Sequence, residues 1–119
     1  MFRYFEHLEQ VDSTNDYLKQ FISQGVPRYV SARRQTAGRG RYGREWLSCS
    51  DKGLYVSYLF FPGWRASWML MLNVVPSLAL VAIIRQLAPG TEGIRLKKPN
   101  DLLIGDRRVG GILSESGTV

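Results

Sequence analysis

A single mixed α/β domain, a mixed β-sheet flanked by helices, is the fold class this sequence predicts, and three observations predict it. Short runs rich in β-branched and aromatic residues, Tyr29 to Arg34, Leu54 to Phe61 and Ile94 to Lys98, have the length and composition of strands. Between them apolar residues recur at helical spacing, as at Leu18, Phe21 and Ile22. The chain has 119 residues, 45% of them apolar, which suits one real core and makes two domains a poor expectation. No repeat or low-complexity linker interrupts it.

Taken in order, Phe2 to Gln10 alternates weakly and is expected as a first strand. Asp12-Ser13-Thr14-Asn15 then offers capping residues, and the helical spacing runs on until Gly25 and Pro27, which predicts a helix from about 13 to 24. Tyr29 to Arg34 is a strand feeding a glycine-arginine segment, and Leu54 to Phe61 is the strand that leaves it, ended by Pro62-Gly63. From Ala66 to Ile84 there are 19 residues without a charge, long enough to cross a bilayer. Ser67, Asn73, Pro76 and Ser77 interrupt the run and the aromatic residues form no belts around it, so a buried helix is expected in its place, and no membrane partner. Pro76 suits a first turn, which predicts the helix from Pro76 to Leu87, with 68 to 75 an earlier, kinked turn. Ile94 to Lys98 is a strand. Leu102 to Ile104, Gly105-Asp106 and Arg107 to Leu113 form a hairpin with glycine at the first central position of its turn. Gly110-Gly111 marks a bulge, or a place where a ligand lies against the backbone.

Charge is concentrated. The net charge is +6, and five of the 16 Lys and Arg fall between Arg33 and Arg44, which favours a local anion site over general stickiness. Cys49 is the single cysteine and His7 the single histidine, so neither an intrachain disulfide nor a zinc set is available, and a reducing cytoplasm is the expected location. Met1-Phe2-Arg3-Tyr4 has no secretory pattern.

The segment from Arg33 to Trp46 sets five arginines among three glycines and closes on a tryptophan. Glycine permits close backbone approach, and arginine supplies forked donors that match carboxylate and phosphate oxygens two at a time. By itself the segment fits a nucleic acid, a small anionic ligand or a solvated basic loop. Like charges and glycine entropy predict poor order when it is empty, and ordering by a ligand that neutralises it.

Four signals stand in order: Asp12-Ser13-Thr14-Asn15; Gln35 to Trp46 with its Gly-Arg-Gly-Arg-X-Gly-Arg-X-Trp run; Lys97-Lys98-Pro99-Asn100-Asp101; and Arg108-Val109-Gly110-Gly111-Ile112-Leu113-Ser114-Glu115. Together they resemble the catalytic domain of biotin protein ligases over about residues 8 to 117. The resemblance implies a class II aminoacyl-tRNA synthetase-like biotin/lipoate ligase fold. It also implies a two-step reaction in which biotin and ATP, with Mg2+ bridging the phosphates, give biotinyl-adenylate, which then acylates a lysine on the biotin carrier domain of a biotin-dependent carboxylase. Biotin's carboxylate is a weak nucleophile, so positioning and charge neutralisation must supply most of the help.

Carried over by position, Ser13, Thr14 and Asn15 meet the biotin head, their plain alternative being a helix cap. Gln35, Arg39, Gly40 and Arg41 contact biotin and adenylate from the loop. Trp46 stacks near the adenine, or is an ordinary core aromatic. Lys97 serves phosphate, while Asn100 and Asp101 serve adenylate or magnesium, or simply make a turn. Gly111 lies against biotin. Arg108 stands where the family has a lysine for biotin's carboxylate and the activated phosphate. Arg41, Lys97 and Arg108 are the expected catalytic residues; no metal ligand is assigned.

The sequence departs from the family at Arg108, at Lys98 in place of tryptophan, and in length, since the family continues past Val119 with a Gly-Ile-Gly-X-Asn strand, helices and a small barrel domain. The expectation is a partial catalytic domain without an N-terminal DNA-binding helix-turn-helix, hence no DNA partner, and without the barrel. Its unpaired strand edge predicts self-association and at best feeble turnover. Three alternatives stay open: an inactive or ligand-binding-only remnant, lipoate or octanoyl transfer on the same fold, and a basic RNA-binding module.

Overall fold

Alternation along Arg28–Gln35 (β2) buries Val30 and Ala32 and turns their neighbours away, which makes β2 the centre of the first sheet. Tyr4–Val11 (β1) runs parallel to it with Glu6 opposite Val30, and Tyr55–Leu59 (β3) runs antiparallel with Ser57 opposite Val30. A parallel pair requires a crossover, and Thr14–Lys19 (α1) followed by a 3-10 turn at Ile22–Gln24 provides it. The computed structural model describes residues 4–48, 52–63, 65–91, 93–97 and 100–117. The chain divides into two compact units, Met1–Gly63 with Ser116–Val119, and Trp64–Glu115.

The helix expected over 13 to 24 is shorter. Phe21 leaves the helical region at φ −101°, ψ 0°, and its ring lies 3.8 Å from the Arg28 guanidinium, so packing onto β2 replaces a further helical turn. Gly25, at φ +63°, then reverses the chain in a conformation that only glycine adopts without cost. On the sheet face opposite Val30, Phe5, Tyr29 and Tyr58 stack in register across the three strands, with ring centroids 4.6 and 5.5 Å apart.

In the second unit Ile94–Lys97 (β4), Asp101–Ile104 (β5) and Arg107–Gly111 (β6) form an antiparallel sheet in that order. Met71–Leu87 (α2) covers it through Val81, which meets Ile94 and Leu102 with Leu80, Ile84 and Leu96 around them. Gly105 takes φ +60° in the β5-β6 turn, as the glycine at that position predicts. A bulge is present but lies just before the expected Gly110-Gly111: these two glycines pair with Leu102 and Asp101, while the register shifts between Leu102 and Leu103, so that Arg108 faces Leu103 and Val109 is the extra residue.

α2 begins at Met71, not at Pro76, and Pro76 sits inside it. Proline cannot bond to the carbonyl four residues back. That carbonyl, Leu72 O, accepts instead from Ser114 Oγ at 3.3 Å, while Ser77 Oγ donates to Asn73 O at 2.6 Å. A 3-10 turn at Ala66–Trp68 precedes the helix, and of the stretch 68 to 75 expected as an earlier, kinked turn, residues 71 to 75 belong to α2 itself. Among the described residues no helix is long and apolar enough to cross a membrane. Lys98 and Pro99, together with Cys49 and residues 1 to 3, lie outside the described residues.

Candidate functional site

Ser13 is the cap of α1: its backbone is extended at φ −152°, and its Oγ accepts from the Asp16 amide at 3.3 Å. The two residues after it do more than cap. Thr14 donates twice to Gln35 Oε1, from its amide at 2.8 Å and its hydroxyl at 3.0 Å, which ties the helix start to the end of β2. Ser57, on β3, places its Oγ 2.7 Å from Thr14 Oγ1 and in short contact with the Asn15 carboxamide. Ser13, Thr14 and Ser57 are all buried, so a row of polar groups lies where apolar side chains would ordinarily pack.

Beside this row the glycine-arginine segment forms a small hairpin. Thr36 and Ala37 donate their amides to Val11 O and Asp12 O at 2.9 and 2.7 Å, strapping it to the residues before α1. Arg39 and Glu45 then pair as an antiparallel bridge, closed by Gly40 N–H to Arg44 O at 2.7 Å and Trp46 N–H to Gly38 O at 2.8 Å. Tyr42 and Gly43 turn the tip at φ +61° and +71°, a reversal that glycine makes freely and tyrosine does not. At Gly38 a side chain has no room: an added Cβ would lie 2.7 Å from Gln35 Nε2 and 2.8 Å from Trp46 O. Glycine spacing here therefore sets how close the hairpin comes to Gln35.

The two arginines expected to meet ligand are placed differently. Arg39 forms an ion pair with Asp16 in the first turn of α1, and Lys19 reaches the same carboxylate at 3.2 Å. The Arg39 hydrogen bond, against the opposing effect of burial and with help from Lys19, holds the Asp16 carboxyl below its ordinary value. Arg41 stays at the hairpin tip, bonded to the Tyr42 hydroxyl at 2.8 Å with its guanidinium 4.9 Å from that ring. Trp46 is half-buried at the base of the hairpin.

The second unit gathers the rest. Lys97, Asp101 and Gly111 stand in register across β4, β5 and β6. Arg108 reaches along the same face to the Asp101 carboxylate at 3.4 Å, so its guanidinium is partly neutralised by an acid on the neighbouring strand. Asn100 is buried and works as a clamp: Nδ2 donates to Ile112 O at 2.7 Å, and its own carbonyl accepts from Ile112 N–H at 3.1 Å. The structure thus brings together Ser13, Thr14, Asn15, Gln35, Arg39, Gly40, Arg41 and Trp46 in one unit and Lys97, Asn100, Asp101, Arg108 and Gly111 in the other.

Two residues of the first set escaped the sequence reading. Ser57 is the core-facing member of Tyr-Val-Ser-Tyr-Leu, and a hydroxyl at a position that alternation assigns to the interior was the available signal. Asp16 reads locally as a first-turn acid suited to the helix dipole; its partner lies 23 positions away.

Residues 7–118 match the family model described as Biotin/lipoate A/B protein ligase family. The bifunctional ligase/repressor BirA of Escherichia coli strain K12 is 36% identical over 109 residues, covering 91% of this chain and 33% of that protein. The biotin--[acetyl-CoA-carboxylase] ligase of Paracoccus denitrificans is 36% identical over 111 residues, covering 92% of this chain and 45% of that one. A biotin protein ligase from Aquifex aeolicus, solved with biotin and ATP, superposes with a TM-score of 0.76 at 36% identity, covering 97% of this chain and 47% of the other. The Leishmania major enzyme, solved with biotinyl-5-AMP, gives a TM-score of 0.78 at 28% identity over 97% of this chain and 53% of that one. The chain therefore spans a third to about half of these proteins and shares the fold of that portion. With the polar row, the arginine hairpin and the family match covering nearly all of its length, the chain belongs to the biotin/lipoate A/B protein ligase family.

Proposed function

We propose that this chain binds biotin and MgATP, forms biotinyl-adenylate, and passes the biotinyl group to a lysine of the biotin carrier domain of a biotin-dependent carboxylase. The observation that carries the reading is the buried row of Thr14, Asn15, Gln35 and Ser57 next to the Gly38–Arg44 hairpin. Fixed hydrogen-bonding groups suit the ureido ring of biotin better than an apolar acyl head such as that of lipoate, which could exchange no hydrogen bonds with them. Flexible guanidinium groups alongside suit a carboxylate and phosphates.

In the first step a biotin carboxylate oxygen attacks the α-phosphorus, the bond to the β-phosphate oxygen breaks, and pyrophosphate leaves. Within the first unit Arg41 suits the charge gathering on the phosphoryl oxygens; within the second, Lys97 suits phosphate and Arg108 a carboxylate. In the second step the carrier lysine attacks the acyl carbon, an amide bond forms, AMP leaves, and the amine's surplus proton goes to solvent. Among the described residues no group of three or more His, Cys, Asp or Glu side chains gathers to hold a metal, and Asp101 is engaged by Arg108. Magnesium would enter with the nucleotide, as part of the substrate. The expected location is the cytoplasm, where ATP and unmodified carrier domains meet.

Biotin-dependent release of pyrophosphate from MgATP tests the first step, and transfer of labelled biotin to a purified carrier domain tests the second. Pyrophosphate release without transfer would confine the chain to activation. No binding of biotin at millimolar concentration would overturn the reading.

A further inference from the structure

We infer that Ser57 is a positioning residue for the biotin head, acting by locking the Thr14 hydroxyl and the Asn15 carboxamide into one hydrogen-bonding order. The inference rests on the biotin reading and names a residue that neither the motifs nor the family match assigns to the site.

Gln35 Oε1 can only accept, and it takes both the amide and the hydroxyl hydrogen of Thr14 at 2.8 and 3.0 Å. With its own hydrogen committed there, Thr14 Oγ1 must accept at the 2.7 Å contact, so the single Ser57 hydrogen points to Thr14. Ser57 then has no hydrogen left for Asn15. The short contact between them is satisfied when Asn15 turns its NH2 toward Ser57, a half-turn that leaves the shape of the carboxamide unchanged. The order is therefore fixed in one direction, from Asn15 NH2 to Ser57 to Thr14 to Gln35 Oε1. Thr14 and Ser57 both donate and accept between side chains of different elements, and Ser57 is the member that joins Asn15 to Thr14, so it decides which face of each a ligand meets.

Position argues the same way. Ser57 stands directly opposite Val30, at a core-facing place on a strand where valine or isoleucine would pack and stabilise better. A buried hydroxyl costs stability unless its hydrogen bonds are made. Here they are made to the two residues at the start of α1, not to the backbone of its own strand.

The experiment uses the full 119-residue chain as wild type, Ser57→Ala and Ser57→Thr, with equilibrium binding of biotin and of MgATP measured separately and a melting curve for each. Ser57→Ala is expected to weaken biotin about tenfold, the effect of one lost hydrogen bond in a buried site. MgATP affinity should hold within about twofold, since the hydroxyl touches nothing on the arginine hairpin. Ser57→Thr, which keeps the hydroxyl, should restore most of the biotin affinity. Unchanged biotin binding by Ser57→Ala, or equal loss of both ligands with a lowered melting temperature and no rescue by threonine, would overturn the assignment. A wild-type chain that binds no biotin would overturn the biotin reading, and this inference with it.

Discussion

Replacing Asp16 with asparagine should loosen the arginine hairpin while leaving α1 in place. Asp16 is the anchor through which Arg39 is held to the first turn of α1, and the substitution keeps size and shape but removes the charge. The pair is neither buried nor free: the side chains of Arg39 and Asp16 are 26% and 36% exposed. Its worth should fall near the upper end for exposed ion pairs, about 1 kcal/mol, since solvent screens part of the attraction. That is about a fivefold change in the opening equilibrium of the hairpin. Hydrogen exchange of the Gly40 and Trp46 amides, which close the hairpin onto Arg44 O and Gly38 O, reads it directly. The pH dependence has a definite sign. The Asp16 carboxyl titrates below its ordinary value of 3.8, so its contribution is whole above that value and is lost as the pH falls through the lowered one. The wild-type protection advantage should therefore hold from neutral pH down to about 5 and disappear on strong acidification. Equal exchange in both proteins at neutral pH, or an advantage that survives in strong acid, would refute the claim that this ion pair holds the hairpin.

Three further outcomes are expected. Arg41→Ala should lower biotin-dependent pyrophosphate release by about tenfold or more, whereas Arg107→Ala, on the opposite face of β6 from Arg108, should change it less than about twofold; equal losses would mean that Arg41 serves no ligand. Gly38→Ala should separate the hairpin from Gln35, because its Cβ would meet Gln35 Nε2 at 2.7 Å and Trp46 O at 2.8 Å. It should shift tryptophan fluorescence and weaken biotin, and a variant indistinguishable from wild type in both would show that the close approach is dispensable. Concentrated solutions should self-associate, because Met71, Val75 and Leu78 leave one apolar face of α2 exposed; a monomer at all concentrations in a light-scattering measurement would count against this.

What the sequence made legible depended on the range of the forces involved. The strands around Val30, Ile94 and Leu102, and the turn at Gly105, follow from alternation and from one glycine's freedom, which are properties of neighbouring residues. The end of α1 is not legible locally, because helical spacing continues through Phe21 and Ile22, while the contact that ends the helix, Phe21 against Arg28, joins residues seven apart through the fold. Pro76 resembles a helix start in the sequence because the donor that makes it tolerable inside α2, Ser114, stands 42 positions away from the Leu72 carbonyl it serves.

The candidate site divides along the same line, and the division bears on how it works. The motif residues were legible because glycine spacing and arginine count are local, yet the groups that aim them were not. Arg39 is directed by Asp16, Thr14 by Gln35 and Ser57, and Arg108 by Asp101. In each case a residue expected to meet ligand is already engaged by a partner distant in sequence, so ligand binding must either use the atoms that remain or displace that partner. Displacement is the easier course where solvent already reaches the pair, as at Arg39 and Arg108. At Thr14, enclosed with Ser57 and Gln35, the existing bonds are costly to break. The polar row should therefore behave as a fixed template for the neutral head of biotin, and the arginines as groups that change partner when the carboxylate and phosphates arrive. Affinity for biotin alone should accordingly depend weakly on salt, and affinity for MgATP strongly. Salt titrations of the two ligands that ran parallel would contradict this division of labour.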